Sequence, residues 1–298
     1  MYDVCAVSDT EVWIVGEIEK QPIDGRDVYF NVMRWNGREW NRLRVPMYDE
    51  PPQPRFPRFR AVYAVTPDHV LFAIGNSLVR WNGESFSEDN RLLQYVGQGG
   101  IQEIWGSSPD DVYLVGTDGY VVHYDGEKYQ KLSTGTTYDF NDIWGVGDTA
   151  VAVASNWLFD HTYSYLLRLV HGKTLAVPEW NTRSLGRAHK SIWFEHLNHL
   201  HVVGGFIQEW KGDEWWTYLS HNLTDLSAFS FKIRGNAEND FFISGDLGLL
   251  VHWNGNSWQR YNPFDEEQRN YYHSMSVQAD HVWVITALGE VIHGTRVP

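Results

Sequence analysis

The chain has 298 residues, of which 43% are hydrophobic, and its 38 acidic and 24 basic side chains give a net charge of −14. This charge argues against binding to duplex nucleic acid or to an anionic membrane surface, because both depend on basic side chains. An acidic chain would instead steer a basic partner towards itself. No apolar run is long enough to span a bilayer.

A short phrase returns seven times along the chain, with a period of about 43 residues that is typical of propeller blades. It is a hydrophobic strand that ends in a polar-Gly turn. The turn glycines are Gly37, Gly83, Gly126, Gly172, Gly212, Gly255 and Gly294. The Asn-Gly and Asp-Gly versions predict type I′ hairpins, because both central residues of that turn need a positive φ.

Each repeat has a second half upstream of this turn. Its clearest copy runs from Ile104 to Gly116 and reads Ile-Trp-Gly-Ser-Ser-Pro-Asp-Asp-Val-Tyr-Leu-Val-Gly. The same frame fits all seven repeats, so each predicts four short strands. The sequence therefore predicts an all-β protein, a seven-bladed β-propeller of four-stranded antiparallel blades. It forms a single domain over 1–298, with repeats at about 1–58, 59–98, 99–138, 139–187, 188–228, 229–270 and 271–298.

The closure of this ring is predicted at a seam between repeats. The first repeat starts at its first strand, and the last has room for only a short fourth strand. We expect the first and last blades to meet by packing of their faces, with little strand exchange. The alternative is that Met1, Tyr2 and Asp3 pair with the last blade. An open edge strand at the seam would be a liability.

The repeated phrases resemble those of bacterial multi-bladed repeat propellers of unassigned function. The phrases that carry the resemblance are Ile-Trp-Gly, Asp-Asp-Val-Tyr-Leu-Val-Gly, His-Tyr-Asp-Gly and the Trp that follows. The resemblance covers essentially the whole chain and implies the propeller architecture. It implies no catalytic residue, and the signature motifs of WD-repeat, kelch and sialidase propellers do not occur.

The segments that break the repeat are predicted to gather at one end of the propeller. The turns between first and second strands and between third and fourth strands are short. The long segments join second to third strands, at 17–28 and 156–165, or one blade to the next, at 45–59, 87–100, 176–190, 217–230 and 261–272. Insertions on one face of a repeat protein usually mark its binding face.

The candidate binding residues come from these long segments. They are the aromatic, Arg and His side chains typical of protein interfaces. The set is Tyr48, Arg55, Phe56, Arg58, Trp157, Phe159, His161, Tyr163, Trp180, Arg183, Arg187, Arg269 and Tyr271. Single aromatics among them are as well explained by packing over the propeller end, but the set as a whole favours a binding surface.

Catalytic and metal-binding signals are weak. The densest group of metal-type ligands is Glu195 to His201, in which His199 and His201 share one face of a strand. These histidines align with ordinary repeat positions, and no carboxylate or Cys is placed along the chain to complete a site. The sequence therefore predicts no catalytic residue, no metal and no cofactor.

Three functional hypotheses follow. The first is a non-catalytic protein-binding propeller that uses the long-loop face and sequesters a basic partner, such as a toxin or effector held by an immunity-like protein. The second is a carbohydrate-binding lectin. The third is a lyase or hydrolase with its site in the central funnel, where His189 and Arg234 are candidates. The single Cys5 and the missing secretory leader predict a cytoplasmic protein.

Overall fold

The structure is a computed structural model that describes residues 1–23, 26–48, 53–95, 97–156, 163–218, 228–263 and 271–296, with the backbone alone for 19–23 and 26–27. In these ranges the chain forms seven antiparallel sheets, each built from consecutive strands. The sheets stand in a ring, which confirms the predicted seven-bladed β-propeller. None of the helical turns in the described ranges has the length and apolarity needed to cross a bilayer.

Six blades have four strands. Blade 1 contains β1 (Asp3–Ser8), β2 (Glu11–Ile23), β3 (Arg26–Trp35) and β4 (Trp40–Leu43), and blade 2 contains β5 (Ala61–Thr66), β6 (His69–Ile74), β7 (Ser77–Trp81) and β8 (Phe86–Asp89). Blade 3 contains β9 (Ile101–Ser108), β10 (Asp111–Gly116), β11 (Val121–Tyr124) and β12 (Tyr129–Lys131), and blade 4 contains β13 (Phe140–Val146), β14 (Thr149–Ala154), β15 (Tyr165–Val170) and β16 (Lys173–Leu175).

Blade 5 contains β17 (His189–His196), β18 (His199–Gly204), β19 (Ile207–Trp210) and β20 (Trp215–Tyr218), and blade 6 contains β21 (Ser230–Ala237), β22 (Asp240–Gly245), β23 (Leu250–Trp253) and β24 (Trp258–Arg260). Blade 7 shows three strands within the described residues: β25 (Tyr272–Gln278), β26 (His281–Thr286) and β27 (Val291–Thr295). A 3₁₀-helix, Asn90–Tyr95, lies between blades 2 and 3.

The core is divided among the seven interfaces between neighbouring blades. The first strands of adjacent blades pack against each other around the central axis. Outside them, the Val, Ile, Leu and aromatic residues of the alternating strands form one cluster per interface. Both faces of every blade are therefore buried, which explains why the chain needs so many large flat side chains.

The ring closes by packing of blade 1 on blade 7, as the sequence predicts. The backbone N–H of Tyr2 donates to the carbonyl of Val15, 2.8 Å away, so the first residues pair within their own blade. Across the seam, Ser274 Oγ donates to Asp3 Oδ1 at 2.7 Å, and the amide of Ala6 donates to Ser276 Oγ at 2.9 Å.

Candidate functional site

Strand order defines two ends of the propeller. First strands start, and fourth strands finish, at one end, which also carries the connections between second and third strands. We call this the loop end, and the opposite one the turn end. The long connections lie at the loop end, in agreement with the sequence. One of them is not a loop, because 17–23 and 26–28 continue β2 and β3 as a paired hairpin.

The connection between blades 1 and 2 is firmly anchored at the loop end. The buried Asn31 donates from Nδ2 to the carbonyls of Val45 and Pro57 at 2.9 and 2.8 Å, and its Oδ1 accepts from the Val45 amide at 2.8 Å. Met47 and Arg55 exchange two backbone hydrogen bonds. The described part of this segment is thus held in place before any partner arrives.

Large apolar side chains that remain exposed gather at the loop end. Leu288 is 70% exposed, Tyr48 64% and Phe206 51%. The others of this end are Tyr2, Tyr29, Leu93, Tyr163, Leu247, Tyr261 and Tyr271. At the turn end and on the outer strands the described residues show fewer, with Trp216 53% exposed, Val146 48% and Leu175 42%. An uneven distribution of this kind is typical of a recognition surface.

The predicted binding residues fall into three groups. Tyr48, Arg58, Tyr163, Arg183, Arg187 and Tyr271 are exposed at the loop end, and Arg55 and Phe56 are half-buried there. Trp157, Phe159, His161 and Arg269 lie outside the described residues. Trp180 forms the third group on its own: it is 5% exposed, and its carbonyl accepts a hydrogen bond from Trp215 Nε1 at 2.9 Å. It is therefore a core residue, not part of an exposed surface.

Some of the exposed residues are paired by cation–π contacts. The Arg44 guanidinium lies 3.7 Å from the ring centre of Phe56, and that of Arg187 lies 5.3 Å from the ring centre of Tyr163. Arg58 contacts Glu17 through an ion pair of 2.7 Å. Stacked Arg and aromatic side chains are partly pre-ordered, which lowers the entropy cost of binding through them.

Seven side chains, one from each blade, surround the loop-end mouth of the central channel. Each stands two residues before the buried residue that anchors the first strand, such as Val4 or Ile104. They are Tyr2, Arg60, Gln102, Asn141, Lys190, Phe231 and His273. In five blades the strand pairing skips this residue, which forms a β-bulge. Bulges re-aim a side chain. This set was not predicted from the sequence because the bulge is not visible in the repeat.

The mouth side chains contact one another between blades. Arg60 Nε donates to Gln102 Oε1 at 3.0 Å, Lys190 Nζ donates to Asn141 Oδ1 at 2.8 Å, and the rings of Phe231 and His273 stack at 5.8 Å. Burial and the nearby Arg60 lower the pKa of Lys190, and Asp139 partly offsets them. The mouth thus offers cationic and aromatic groups, a combination suited to a carboxylate on a partner.

Below the mouth, buried charges bridge the channel. The Arg234 guanidinium makes two hydrogen bonds to the carboxylate of Asp142, at 2.9 and 2.8 Å. Lys232 of blade 6 reaches Asp142 at 3.0 Å and Glu103 of blade 3 at 2.6 Å. Burial raises the pKa of Glu103 to about 8, whereas for Asp142 the effect of burial is outweighed by Arg234 and Lys232, which hold its pKa low.

The two funnel candidates of the sequence analysis are both committed to internal contacts. Arg234 is bound to Asp142 as described, and His189 is fully buried with its Nδ1 2.9 Å from Ser164 Oγ. Burial lowers the pKa of His189 to about 3, so it is neutral. Cys5 is similar in kind, since burial raises the pKa of its thiol to about 12. These groups have the surroundings of structural residues.

A different group of titratable residues lies at the turn end of blade 5. His199 and His201 on β18 face Glu209 on β19, because the antiparallel register places Glu209 directly opposite His201. The expectation that no carboxylate accompanies these histidines is wrong, since it considered only their own strand. Burial opposes ionisation of Glu209, but hydrogen bonds from His199 and Tyr218 lower its pKa to about 2.

The architecture and these surfaces define the protein as a seven-bladed propeller with two chemically different ends. No protein-family model and no curated protein matches the chain. Among solved structures, it is similar to YCF48 bound to D1 peptide, with a TM-score of 0.70 and 14% identity over 99% of this chain and 91% of that one. The WD40 propeller domain of Doa1 matches with a TM-score of 0.68 and 13% identity, over 99% of this chain and 92% of that one. Virginiamycin B lyase from Staphylococcus aureus matches with a TM-score of 0.66 and 13% identity, over 99% of this chain and 94% of that one.

At these identities the similarity shows the fold alone, because propellers with unrelated activities share it. The neighbours include a peptide-bound propeller and a lyase. The predicted resemblance to bacterial repeat propellers of unassigned function is confirmed only as far as the seven-bladed architecture.

Proposed function

We propose that this chain is a protein-binding propeller that engages its partner through the loop end. The observation that carries the proposal is the concentration of exposed large apolar side chains at this end, from Tyr48 through Phe206 to Leu288. Aromatic and Arg anchors on a rigid scaffold supply most of the binding energy in protein interfaces. The Asn31 anchor adds to this, because an ordered segment loses less entropy on binding.

The propeller of YCF48 was solved with a D1 peptide bound. This supports peptide or protein binding as something a ring of this shape performs. We place a carboxylate of the partner at the mouth, over Arg60 and Lys190, because these two cations lie in a ring whose other members are uncharged or aromatic.

The finer proposal is that the partner is a basic protein, such as a toxin or effector held inactive. It rests on the net charge of −14, which would steer a basic partner from a distance. The mouth favours an acidic group locally. A partner of the proposed kind would therefore combine a basic surface with one acidic side chain or chain end that enters the mouth.

Carbohydrate binding is the less favoured alternative. Repeated sugar sites would place equivalent aromatic residues on successive blades. In blades 3, 5, 6 and 7 the turn between second and third strands instead carries Asp118, Phe206, Leu247 and Leu288, respectively. These side chains differ in kind, which suits one extended partner better than several identical sugars.

The test compares a loop-end variant with a turn-end variant of the full chain. Phe206→Ser combined with Leu288→Ser removes two exposed apolar side chains, whereas Val146→Ser removes one of 48% exposure from the opposite end. Partners are captured from cells that express the chain naturally and are quantified by mass spectrometry. We expect the loop-end variant to lose its specific partner by about 10-fold or more, while Val146→Ser retains it.

Equal capture by the wild type and the loop-end variant, or loss with Val146→Ser alone, would reject the loop end as the binding surface. A strong response on a glycan array that these loop-end changes abolish would favour the lectin hypothesis instead.

A further inference from the structure

One strand position carries an acid–imidazole pair in blades 3 and 6, and blade 5 departs from this pattern. In blade 3, His123 Nε2 lies 2.7 Å from Asp111 Oδ1, and in blade 6, His252 Nε2 lies 2.7 Å from Asp240 Oδ1. Each of these pairs joins the second and third strands of its blade. In blade 5 the order is reversed, with His199 on the second strand and Glu209 on the third.

Blade 5 also adds a third ligand-type residue. At the position of His201 the other blades carry Trp13, Leu71, Tyr113, Val151, Phe242 and Trp283. One ligand atom from each of His199, His201 and Glu209 lies within 4.8 Å of the others. His201 is 3% exposed, and its buried Nε2 has no hydrogen-bond partner among the described residues. A buried imidazole nitrogen without a partner is costly. His189 Nε2 is also without one, but only His201 lies beside two further ligand-type residues in the described part of the chain.

The surroundings orient two of these three side chains. His199 Nδ1 lies 2.8 Å from Glu238 Oε2, which fixes the ring and leaves Nε2 directed at Glu209. Tyr218 donates its hydroxyl to Glu209 Oε2 at 2.6 Å. In protein metal sites, a ligating His commonly forms a hydrogen bond to a carboxylate through its other ring nitrogen, and a ligating carboxylate commonly accepts a hydrogen bond from a further residue.

We propose that His199, His201 and Glu209 bind a divalent transition-metal ion, with Zn²⁺ as the ion that best fits two imidazoles and one carboxylate. Three protein ligands leave at least one coordination position for water or for a group from a bound molecule. The cluster opens onto a pocket of about 670 Å³, whose lining includes Lys211, Trp253 and Asn239. The site is independent of the loop end, since it lies at the turn end of the ring.

The charges around the cluster favour a cation. Glu195 and Glu238 line the same pocket as Glu209. Among the described residues of this lining they oppose one lysine, Lys211, whose Nζ lies 3.2 Å from Glu209 Oε2. A bound ion would take over the charge neutralisation that Lys211 provides to this carboxylate. Negative charge lining a recess raises the local concentration of cations.

The experiment is calorimetric titration of the full, chelator-stripped chain with Zn²⁺, followed by thermal unfolding with and without the ion. We expect one equivalent to bind the wild type and to raise its melting temperature, since an ion that binds only the folded chain stabilises it. His201→Gln should reduce the affinity by at least about 10-fold, and Glu238→Gln, which removes only the orienting carboxylate, by about 10- to 100-fold.

The matched control is His252→Gln, which breaks the equivalent pair in blade 6 and should bind Zn²⁺ like the wild type. If His201→Gln does not fold, the more exposed His199→Gln takes its place. The proposal is overturned if no saturable one-equivalent binding occurs. It is also overturned if the folded histidine variant of blade 5 binds as tightly as His252→Gln.

Discussion

Buried ionisable side chains in this protein are either charged and paired or neutral. Asp142, Arg234 and Lys232 keep their charges because each meets an opposite charge within hydrogen-bond distance. His189 and His201 meet no such partner in the described residues, and burial lowers the pKa of each to about 3. Removal of one partner from a buried charged pair lowers the free energy of unfolding. A fall in pH lowers it for the buried neutral histidines, because the unfolded chain binds protons there more readily.

His189 should make stability depend on pH. Its pKa is about 3 in the folded chain against 6.5 in the unfolded one, so the unfolded state binds more protons between these values. Its contribution is complete above pH 6.5 and is lost as the pH falls towards 3. Relative to His189→Gln, the wild type should lose about 2–3 kcal/mol of unfolding free energy between pH 7 and pH 4.5.

Denaturant unfolding of both proteins across this range measures the difference. His189→Gln removes one titrating group and leaves the others, including His201. The variant therefore serves as the baseline from which the effect of His189 on the wild type is measured. A difference in stability that stays constant from pH 7 to pH 4.5 would show that His189 is not kept neutral by burial.

At the residue scale, the sequence predicted residue types better than their positions. It placed Trp180 on the surface because an aromatic in a long connection looks available, whereas the connection folds back and buries it. It missed Glu209 because that residue becomes a neighbour of His201 only through strand pairing. The spacing across the Gly204-Gly205 turn was the available signal, since it sets the register of the two strands.

At the level of elements, the Asn-Gly and Asp-Gly hairpins were predicted, but their turn type was wrong. Trp35 pairs with Trp40, so four residues form the loop, and Asn36 Oδ1 accepts from the amides of Arg38 and Glu39. Of the four loop residues, only Gly37 has a positive φ, of 84°. The Asn side chain caps the loop as an Asx turn and so replaces the conformation that a two-residue hairpin would require.

The extension of β2 and β3 beyond the blade was also missed. The segment 17–28 was predicted as a long connection because it breaks the repeat. The structure pairs 20–23 with 26–29 as a two-stranded hairpin. Pro22 is tolerated there because a two-stranded hairpin has edge positions where no N–H is needed.

Asn31 should be the residue that holds the connection between blades 1 and 2 in one conformation. Asn31→Ala removes three hydrogen bonds and leaves the Val45 amide without its acceptor, so we expect a loss of about 2–4 kcal/mol in unfolding free energy. Hydrogen exchange at Val45 should accelerate with it. Asn256→Ala, in an exposed turn, is the control and should change neither quantity. Unchanged exchange at Val45 in Asn31→Ala would show that the segment is held by other contacts.

At the level of the whole molecule, ring closure rests on side chains that cross from blade to blade. Asp3 is the clearest example, because it accepts from Ser274 of blade 7 at 2.7 Å and from the Val62 amide of blade 2 at 2.9 Å. Ser191 of blade 5 makes a comparable contact at an interface away from the seam, because its Oγ accepts from the Ile233 amide of blade 6 at 3.1 Å. The seam therefore resembles the other interfaces in chemistry.

Asp3→Ala should loosen the seam. It leaves the buried Val4 and Val62 amides and the Ser274 hydroxyl without their acceptor, and we expect about 2–4 kcal/mol of lost stability. Hydrogen exchange should rise first in β1, β5, β25 and β26. Ser191→Ala is the comparison and should raise exchange in blades 5 and 6. A uniform rise over all blades in Asp3→Ala would mean that the ring opens as one unit and not at its seam.

The seven-bladed architecture was predictable from the sequence because the repeat encodes it many times over, so errors in single repeats average out. The functional surfaces lie where the repeat is broken, and there each residue occurs once. The bulge residues at the mouth, such as Arg60 and Lys190, illustrate the difference: their blade position is regular, but their side chains follow no pattern.

The ionic bridge from Lys232 to Glu103 and Asp142 joins blades across the channel, with Lys232 and Asp142 buried and Glu103 half-buried. A solute that enters between Arg60 and Lys190 therefore meets paired charges below the mouth. The two proposed sites lie at opposite ends of one ring and share no residue. A macromolecule bound at the loop end and an ion bound at the turn end would then be held on the same chain without competing for a single atom.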